Sequence, residues 1–124
     1  MAAGGLATLT RSAPILAAYA GWRVGLPAAG RRLVAALTSS DADVHDLAAV
    51  LVGRSGEAGR GLLLRALEEP AARPTALLLL ADLGDPDLAR AIEPFTHDPD
   101  PRVARAAREA LRTLELAPPT PTPR

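Results

Sequence analysis

The feature that most restricts how this chain can fold is an apolar pattern that occurs three times, in segments 41–55, 69–83 and 100–114. Superposition of these segments brings apolar or small residues into matching columns. Within each segment the columns fall at i, i+3, i+4, i+7 and i+8, which is the spacing of one face of an α-helix. The pattern therefore predicts three copies of one amphipathic helix in a repeat.

Between and before these copies, the same spacing predicts further helices. Apolar residues follow it in 57–68, again in 87–96, and in an earlier copy at 27–38. A first helix is predicted from four residues at i, i+3, i+4 and i+7: Ile15, Ala18, Tyr19 and Trp22. The expected fold is all-α, with seven helices that form three hairpins and one closing helix.

Composition supports a helical fold and restricts the chemistry. Ala and Leu supply 48 of the 124 residues and only three side chains are aromatic, which argues against an all-β fold. All 14 basic residues are Arg, so there is no Lys to form a Schiff base. Without Cys there is no disulfide, thiol nucleophile or thiolate metal site. We therefore expect no enzyme activity, no cofactor and no bound metal.

Charge and hydropathy argue against nucleic acid and membrane as partners. Fourteen Arg balance fourteen Asp and Glu, so no overall positive field attracts a phosphate backbone. The longest weakly polar run near the start extends only from Ser12 to Trp22. This run is about half as long as the roughly 20 residues that a helix needs to cross a bilayer. The expected location is cytoplasmic.

Proline and acidic residues mark the predicted boundaries. Asp100 can cap the helix that begins at Pro101, because its carboxylate accepts the unpaired N–H groups of the first turn. Four prolines in 117–124 cannot continue a helix, and this stretch is predicted to be a disordered or polyproline-like tail. The predicted division is an N-terminal segment with a capping helix at 1–26, a repeat domain at 27–116, and that tail.

The clearest copy of the repeat resembles a known family. Its motifs are Leu83-Gly84-Asp85-Pro86, then Ala91-Ile92-Glu93-Pro94-Phe95, then Asp98-Pro99-Asp100-Pro101-Arg102-Val103, followed by Ala106-Ala107-Arg108-Glu109-Ala110-Leu111. They resemble the HEAT-type repeat, especially its short bacterial form, which also occurs in phycobilin lyases. The resemblance is strong over 82–114, fair over 41–67 and weak before Pro27.

This resemblance implies an α-solenoid of about three helical hairpins plus a closing helix. Each hairpin of such a fold buries its apolar face only against its neighbours. The resemblance also implies a non-catalytic scaffold or protein-interaction module whose partner is another protein. Two alternatives remain open: an accessory, tetrapyrrole-lyase-like subunit of an enzyme, and a structural homo-oligomer built end to end.

A first candidate interaction surface comes from the helix predicted at 71–83, which is apolar on nearly every side. Its predicted core stripe contains Leu79, Leu80 and Leu83. Leu77 and Leu78 point away from that stripe, and Leu78 falls in the same column as Val50 of the preceding copy. We predict that Val50, Leu77 and Leu78 form an exposed apolar patch for partner binding or self-association. The alternative is that neighbouring helices bury both leucines.

A second candidate, which we call the arginine stripe, is a row on the closing helix: Arg102, Arg105, Arg108 and Arg112. Their spacing of three, three and four residues places them on one side, opposite Val103, Ala107 and Leu111. The stripe is predicted either to bind an acidic protein surface or to be a solvated face whose ion-pair partners are Glu109 and Glu115.

The aromatic pair Tyr19 and Trp22 is predicted to cover one end of the repeat array. The end of a solenoid exposes core-like residues unless something caps it, and large rings can serve as that cap. The alternative for this pair is contact with a ligand or a membrane.

Overall fold

Helices account for all regular structure in residues 2–116, the part of the chain that this computed structural model describes; side chains are described for 12–115. The α-helices are α1 (Ala2–Arg23), α2 (Pro27–Leu37), α3 (Ala42–Gly53), α4 (Gly56–Ala66), α5 (Arg73–Asp82), α6 (Ala89–Ile92) and α7 (Pro101–Leu116). The prediction of an all-α fold with seven helices is confirmed within that range. The predicted tail at 117–124 lies outside the described residues.

Two of the repeated helices begin with the same capping contact. The carboxylate of Asp41 accepts the backbone N–H of Asp43 at 3.0 Å, and α3 starts at the intervening residue. The carboxylate of Asp100 accepts the backbone N–H of Arg102 at 2.9 Å at the start of α7. These contacts satisfy N–H groups that have no partner inside a helix, so they fix where each helix begins.

The middle copy begins differently. Glu69 does not cap α5, because the residue at the N-cap position is Ala72 and no side chain caps this helix. The carbonyl oxygen of Glu69 instead accepts the backbone N–H groups of Ala72 and Arg73 in a preceding turn. The helix starts at Arg73, with Pro74 in its first turn, where a missing backbone N–H costs no hydrogen bond. Glu69 therefore has no capping role that corresponds to those of Asp41 and Asp100.

The helix predicted at 87–96 is broken. Pro86–Leu88 and Glu93–His97 are 3₁₀ helices, and only the four residues between them are α-helical. Pro94 explains the second break, because proline has no N–H for the helical hydrogen bond and its ring clashes with the preceding turn. Leu88 and Ile92 are nevertheless buried, so this broken segment, 86–97, still supplies the core.

Packing follows the order of the chain. The helices α1, α3, α5 and α7 contact one another in succession, and α2 contacts α4. Each of α3, α4 and α5 has packing partners both before and after it, whereas α7 packs mainly on α5 and on segment 86–97. The helices in the middle are thus covered from two directions and α7 from one.

The repeated columns coincide with buried positions. Ala48, Ala76 and Ala107 stand in one column and are each at most 1% exposed. Val52 and Leu80 stand in another column, and both are completely buried. Because alanine is small, the first column lets the backbones of neighbouring helices approach closely. The predicted alignment of the copies therefore identifies real core positions on α3, α5 and α7.

The rotation of α5 about its axis differs from the prediction. Leu77 is completely buried, as Leu80 is, whereas Leu79 and Leu83 are only partly buried. The prediction that Leu77 faces away from the core is wrong, because α5 is covered by α7 as well as by α3 and α4. Leu78 is 36% exposed, so the prediction that it points away from the core is confirmed.

Gly59 marks the closest approach between α3 and α4. It is buried, and a Cβ atom at this position would collide with the carbonyl oxygen of Val52. Gly61, one turn or less away on the same helix, has no atom within 4 Å of the position of a Cβ. Glycine is therefore required by packing at residue 59 and not at residue 61.

Arg73 links three successive turns. Its Nε–H donates to the carbonyl oxygen of Leu67 at 2.7 Å, and its Nη1 lies 3.5 Å from Oδ2 of Asp98. The guanidinium carbon lies 5.5 Å from the centroid of the Phe95 ring, a distance typical of a cation–π contact. The Asp98 side chain is only 11% exposed, so this ion pair is partly shielded from water. One side chain thus holds the end of α4, the start of α5 and the turn before α7.

Candidate interaction surfaces

The predicted apolar patch is reduced to two residues. Val50 on α3 is 49% exposed and Leu78 on α5 is 36% exposed, while Leu77 belongs to the core. Val50 and Leu78 occupy the same column of the repeat, and α3 contacts α5. From here on, the apolar patch means Val50 and Leu78.

The arginine stripe lies where the sequence predicts it. All four arginines are exposed, whereas Val103 and Ala107 on the other side of α7 are buried and Leu111 is partly buried. Within the described side chains, the only ion pair of the stripe joins Arg102 to Asp100, and none reaches Glu109 or Glu115. Arg108 donates to the carbonyl oxygen of Thr96 at 3.4 Å, a neutral acceptor. Most of the charge on this face is therefore not neutralised by a carboxylate.

One end of the stripe is electrostatically paired. The Nη2 of Arg102 lies 3.1 Å from Oδ2 of Asp100, and its backbone N–H donates to Oδ1. The hydrogen bond from the Arg102 side chain lowers the pKa of Asp100 below its ordinary value of 3.8, and the same contact raises the pKa of Arg102. The unpaired charge of the stripe is consequently concentrated at Arg105, Arg108 and Arg112.

A groove that the sequence did not reveal lies between the α1–α2 corner and α4. It has a volume of about 510 Å³. Its walls are largely apolar, and its rim carries two arginines and two glutamates. The lining residues are Trp22, Gly25, Leu26, Pro27, Gly30, Arg31, Val34, Leu62, Arg65, Ala66, Glu68 and Glu69. We call it the Trp22 groove.

Trp22 lies beside an aromatic ring and a guanidinium group. The Tyr19 ring lies 6.0 Å away at an interplanar angle of 58°, and the guanidinium of Arg23 lies 5.9 Å from the indole centroid. Gly30 leaves room for the indole, because a Cβ there would come within 3.3 Å of its Cδ1 atom. Trp22 is only partly buried, so the predicted aromatic cap also forms one wall of an open groove. The sequence signal for this close approach is Gly30, a glycine inside a predicted helix.

A second hollow lies among the repeated helices. Its lining includes Ala42, Pro74 and Arg102, which stand in the first turns of α3, α5 and α7 respectively. His45 lies beside it, with Nδ1 2.8 Å from the carbonyl oxygen of Leu37. The N-terminal ends of these three helices therefore meet around one hollow.

The described range contains neither a group of metal ligands nor a membrane-spanning helix. No group of three or more His, Asp or Glu side chains there could hold a metal ion. No helix there is both long enough and apolar enough to cross a bilayer.

Comparison with protein-family models, with curated proteins and with solved structures found no match for this chain. The similarity to HEAT-type repeats therefore rests on the motifs quoted above. The functional argument accordingly starts from the geometry of the helices and their exposed residues.

Proposed function

We propose that this chain is a HEAT-type α-solenoid module that binds another protein without catalysing a reaction. The observation that carries the proposal is the hollow around which the N-terminal ends of α3, α5 and α7 meet, together with their contacts in succession. Helices stacked in this way form one layer of a solenoid, and α2, α4 and segment 86–97 form the other. Such a layer offers an extended surface to a partner.

The apolar patch and the arginine stripe are parts of one surface in this proposal. Glu109 is the α7 residue in the column of Val50 and Leu78. On the helix surface it is flanked by Arg105 at i−4 and Arg112 at i+3. The surface thus passes from apolar on α3 and α5 to basic on α7. It fits a partner that presents apolar side chains next to carboxylates.

Substitutions on this surface test the proposal. Two variants interrupt it, one with Val50→Glu and Leu78→Glu and the other with Arg105→Glu and Arg112→Glu. Leu16→Glu is the matched control, because Leu16 on α1 is 49% exposed, as Val50 is. Proteins captured from the native cell by the wild type should be lost by both surface variants and retained by the control. If both variants keep their helicity and retain the same proteins, this surface is not the binding site.

The two alternatives make different predictions. An end-to-end homo-oligomer requires association that grows with concentration, and light scattering that shows a strict monomer would exclude it.

A tetrapyrrole-lyase-like accessory subunit requires that the absorbance of added bilin change in the presence of the protein. An unchanged spectrum would exclude that role.

A further inference from the structure

The Trp22 groove has the features of a site for an extended peptide. Trp22, Val34 and Leu62 give it apolar walls, and its volume is about 510 Å³. Gly30 is buried between them, and a Cβ there would lie 3.3 Å from the indole and 3.4 Å from Leu62. With no side chain at that position, the indole and Leu62 both pack close to the backbone of α2 and form the floor of the groove.

The indole of Trp22 also has an unused hydrogen-bond donor. Among the described residues, no acceptor pairs with its Nε1–H, and the ring is only partly buried. Tryptophan at binding surfaces combines a flat apolar ring with a donor that needs a partner. Aromatic grooves of this kind bind proline-rich segments in the polyproline II conformation, whose carbonyl groups have no internal hydrogen bonds.

The chain itself contains a segment with this chemistry. Residues 117–124 read Ala-Pro-Pro-Thr-Pro-Thr-Pro-Arg, with prolines at half of the eight positions. Because the proline ring fixes φ, such a sequence loses little conformational entropy when it binds in the polyproline II conformation. Pro118 and Pro121 are three residues apart, which places them on the same edge of a polyproline II helix.

Charge at the rim of the groove agrees with this ligand. Glu68 and Glu69 are exposed there, and within the described side chains neither has an ion pair. The basic residue Arg124 follows the last proline of the segment. Arg31 and Arg65 also line the rim and would repel another arginine. The adjacent carboxylates of Glu68 and Glu69 are therefore the site that the proposal assigns to Arg124.

The reach of the segment decides which copy supplies it. A polyproline II segment spans about 3.1 Å per residue, so if the prolines and Arg124 occupy the groove, about one residue is left as a connection to α7. The groove lies on α2 and α4, whereas α7 packs mainly on α5 and segment 86–97. The helix between them is α5, which packs on both α4 and α7. It is about 10 Å wide, and one residue does not span that distance.

We propose that the Trp22 groove binds the proline-rich segment 117–124 of a second copy of this chain. This contact uses the α1–α2 corner and α4, whereas the proposed partner surface lies on α3, α5 and α7. Failure of one proposal is therefore distinguishable from failure of the other.

The direct test uses a synthetic peptide of residues 117–124 and the full chain. Trp22 is the only tryptophan, so its fluorescence reports on the groove alone. We expect a saturable change in emission at peptide concentrations up to about 1 mM. Glu68→Arg with Glu69→Arg should weaken binding by at least about fivefold. Glu57→Arg, at an exposed glutamate in the first turn of α4, should leave the binding unchanged. No saturable change with the wild-type chain would overturn the proposal.

Association of the full chain tests the role of a second copy. Sedimentation velocity should show association that increases with concentration and is lost when the chain carries Pro118→Ala, Pro121→Ala and Arg124→Glu. Association that survives these substitutions would show that the copies meet through another surface and would overturn the proposal. A strict monomer whose Trp22 emission changes on the same substitutions would show that the segment binds its own groove, which would overturn the assignment to a second copy.

Discussion

The helices α5 and α7 contain the same apolar sequence pattern, yet they divide their surfaces differently. α5 buries Leu77 and Leu80 and keeps no charged side, whereas α7 buries one side and exposes four arginines on the other. The difference follows from position, because α5 has neighbours on two sides and α7 on one. A helix that is covered on fewer sides thus keeps a more distinct polar face.

Truncation of α5 should produce the largest loss of stability. Leu77→Ala and Leu80→Ala each remove a completely buried side chain and leave a cavity, so each should lower the free energy of unfolding by about 2 to 5 kcal/mol. Urea denaturation followed by circular dichroism measures this change. Leu78→Ala is the control on the adjacent residue and should cost under about 1 kcal/mol. An equal cost at residues 77 and 78 would show that the rotation of α5 is wrong.

The close approach of α3 and α4 predicts opposite effects at two glycines. Gly59→Ala should destabilise the protein by about 1 to 3 kcal/mol, because its Cβ collides with the Val52 carbonyl oxygen. Gly61→Ala should stabilise it by about 0.5 to 1 kcal/mol, since alanine is the better helix former and the space is open. Thermal melts of the two variants should therefore shift in opposite directions. A stabilising Gly59→Ala would contradict the interhelical contact.

These contrasts show which parts of the fold could be predicted. The starts of α3 and α7 depend on Asp41 and Asp100, and capping is local chemistry that a few residues determine. The rotation of α5 was mispredicted because four consecutive leucines leave no polar boundary to mark its buried side. Segment 86–97 keeps apolar helical spacing, and this spacing does not show the break that Pro94 causes.

The ion pair next to α5 should matter more than the pair on α7. Arg73→Ala leaves the Leu67 carbonyl oxygen and the shielded Asp98 carboxylate without this partner, which should cost about 1 to 3 kcal/mol. Arg102→Ala removes a solvent-exposed partner of Asp100, and the loss should be smaller and should vanish at high salt. Denaturation in low and high salt measures both. An equal loss for the two variants would contradict the difference in shielding.

The cap of α7 predicts a dependence of stability on pH. The pKa of Asp100 is lowered in the folded state, so the folded carboxylate binds a proton less readily than the unfolded one. Its contribution is therefore present above its ordinary pKa of 3.8 and is lost as the pH falls through the lowered value. Asp100→Asn should remove this part of the pH dependence in acid denaturation. An unchanged acid profile would show that the Arg102 contact does not stabilise the folded state.

The smallest effect is expected on the outer side of α7. Arg105→Ala and Arg112→Ala should change the free energy of unfolding by less than about 0.5 kcal/mol, because both side chains are exposed and neither has an ion pair in the described range. Chemical denaturation checks this. A larger loss would mean that α7 is covered on this side too, and the contrast with α5 would disappear.

Of the candidate sites, the arginine stripe could be predicted from the sequence and the Trp22 groove could not. The arginine stripe was predictable because all its residues lie on one helix and helical spacing alone places them. The Trp22 groove was not, because Trp22, Gly30 and Leu62 come from three helices. Only their packing brings them together.

The central claim is that the helices stack in chain order, and a distance between α1 and α7 tests it most directly. The chain has no cysteine, so Ala17→Cys and Arg108→Cys place spin labels on two exposed sites. Three steps of about 8 to 10 Å between neighbouring helices predict a separation of about 24 to 30 Å by double electron–electron resonance. A separation below about 15 Å would place α7 against α1 in a closed bundle and would contradict the stacked arrangement.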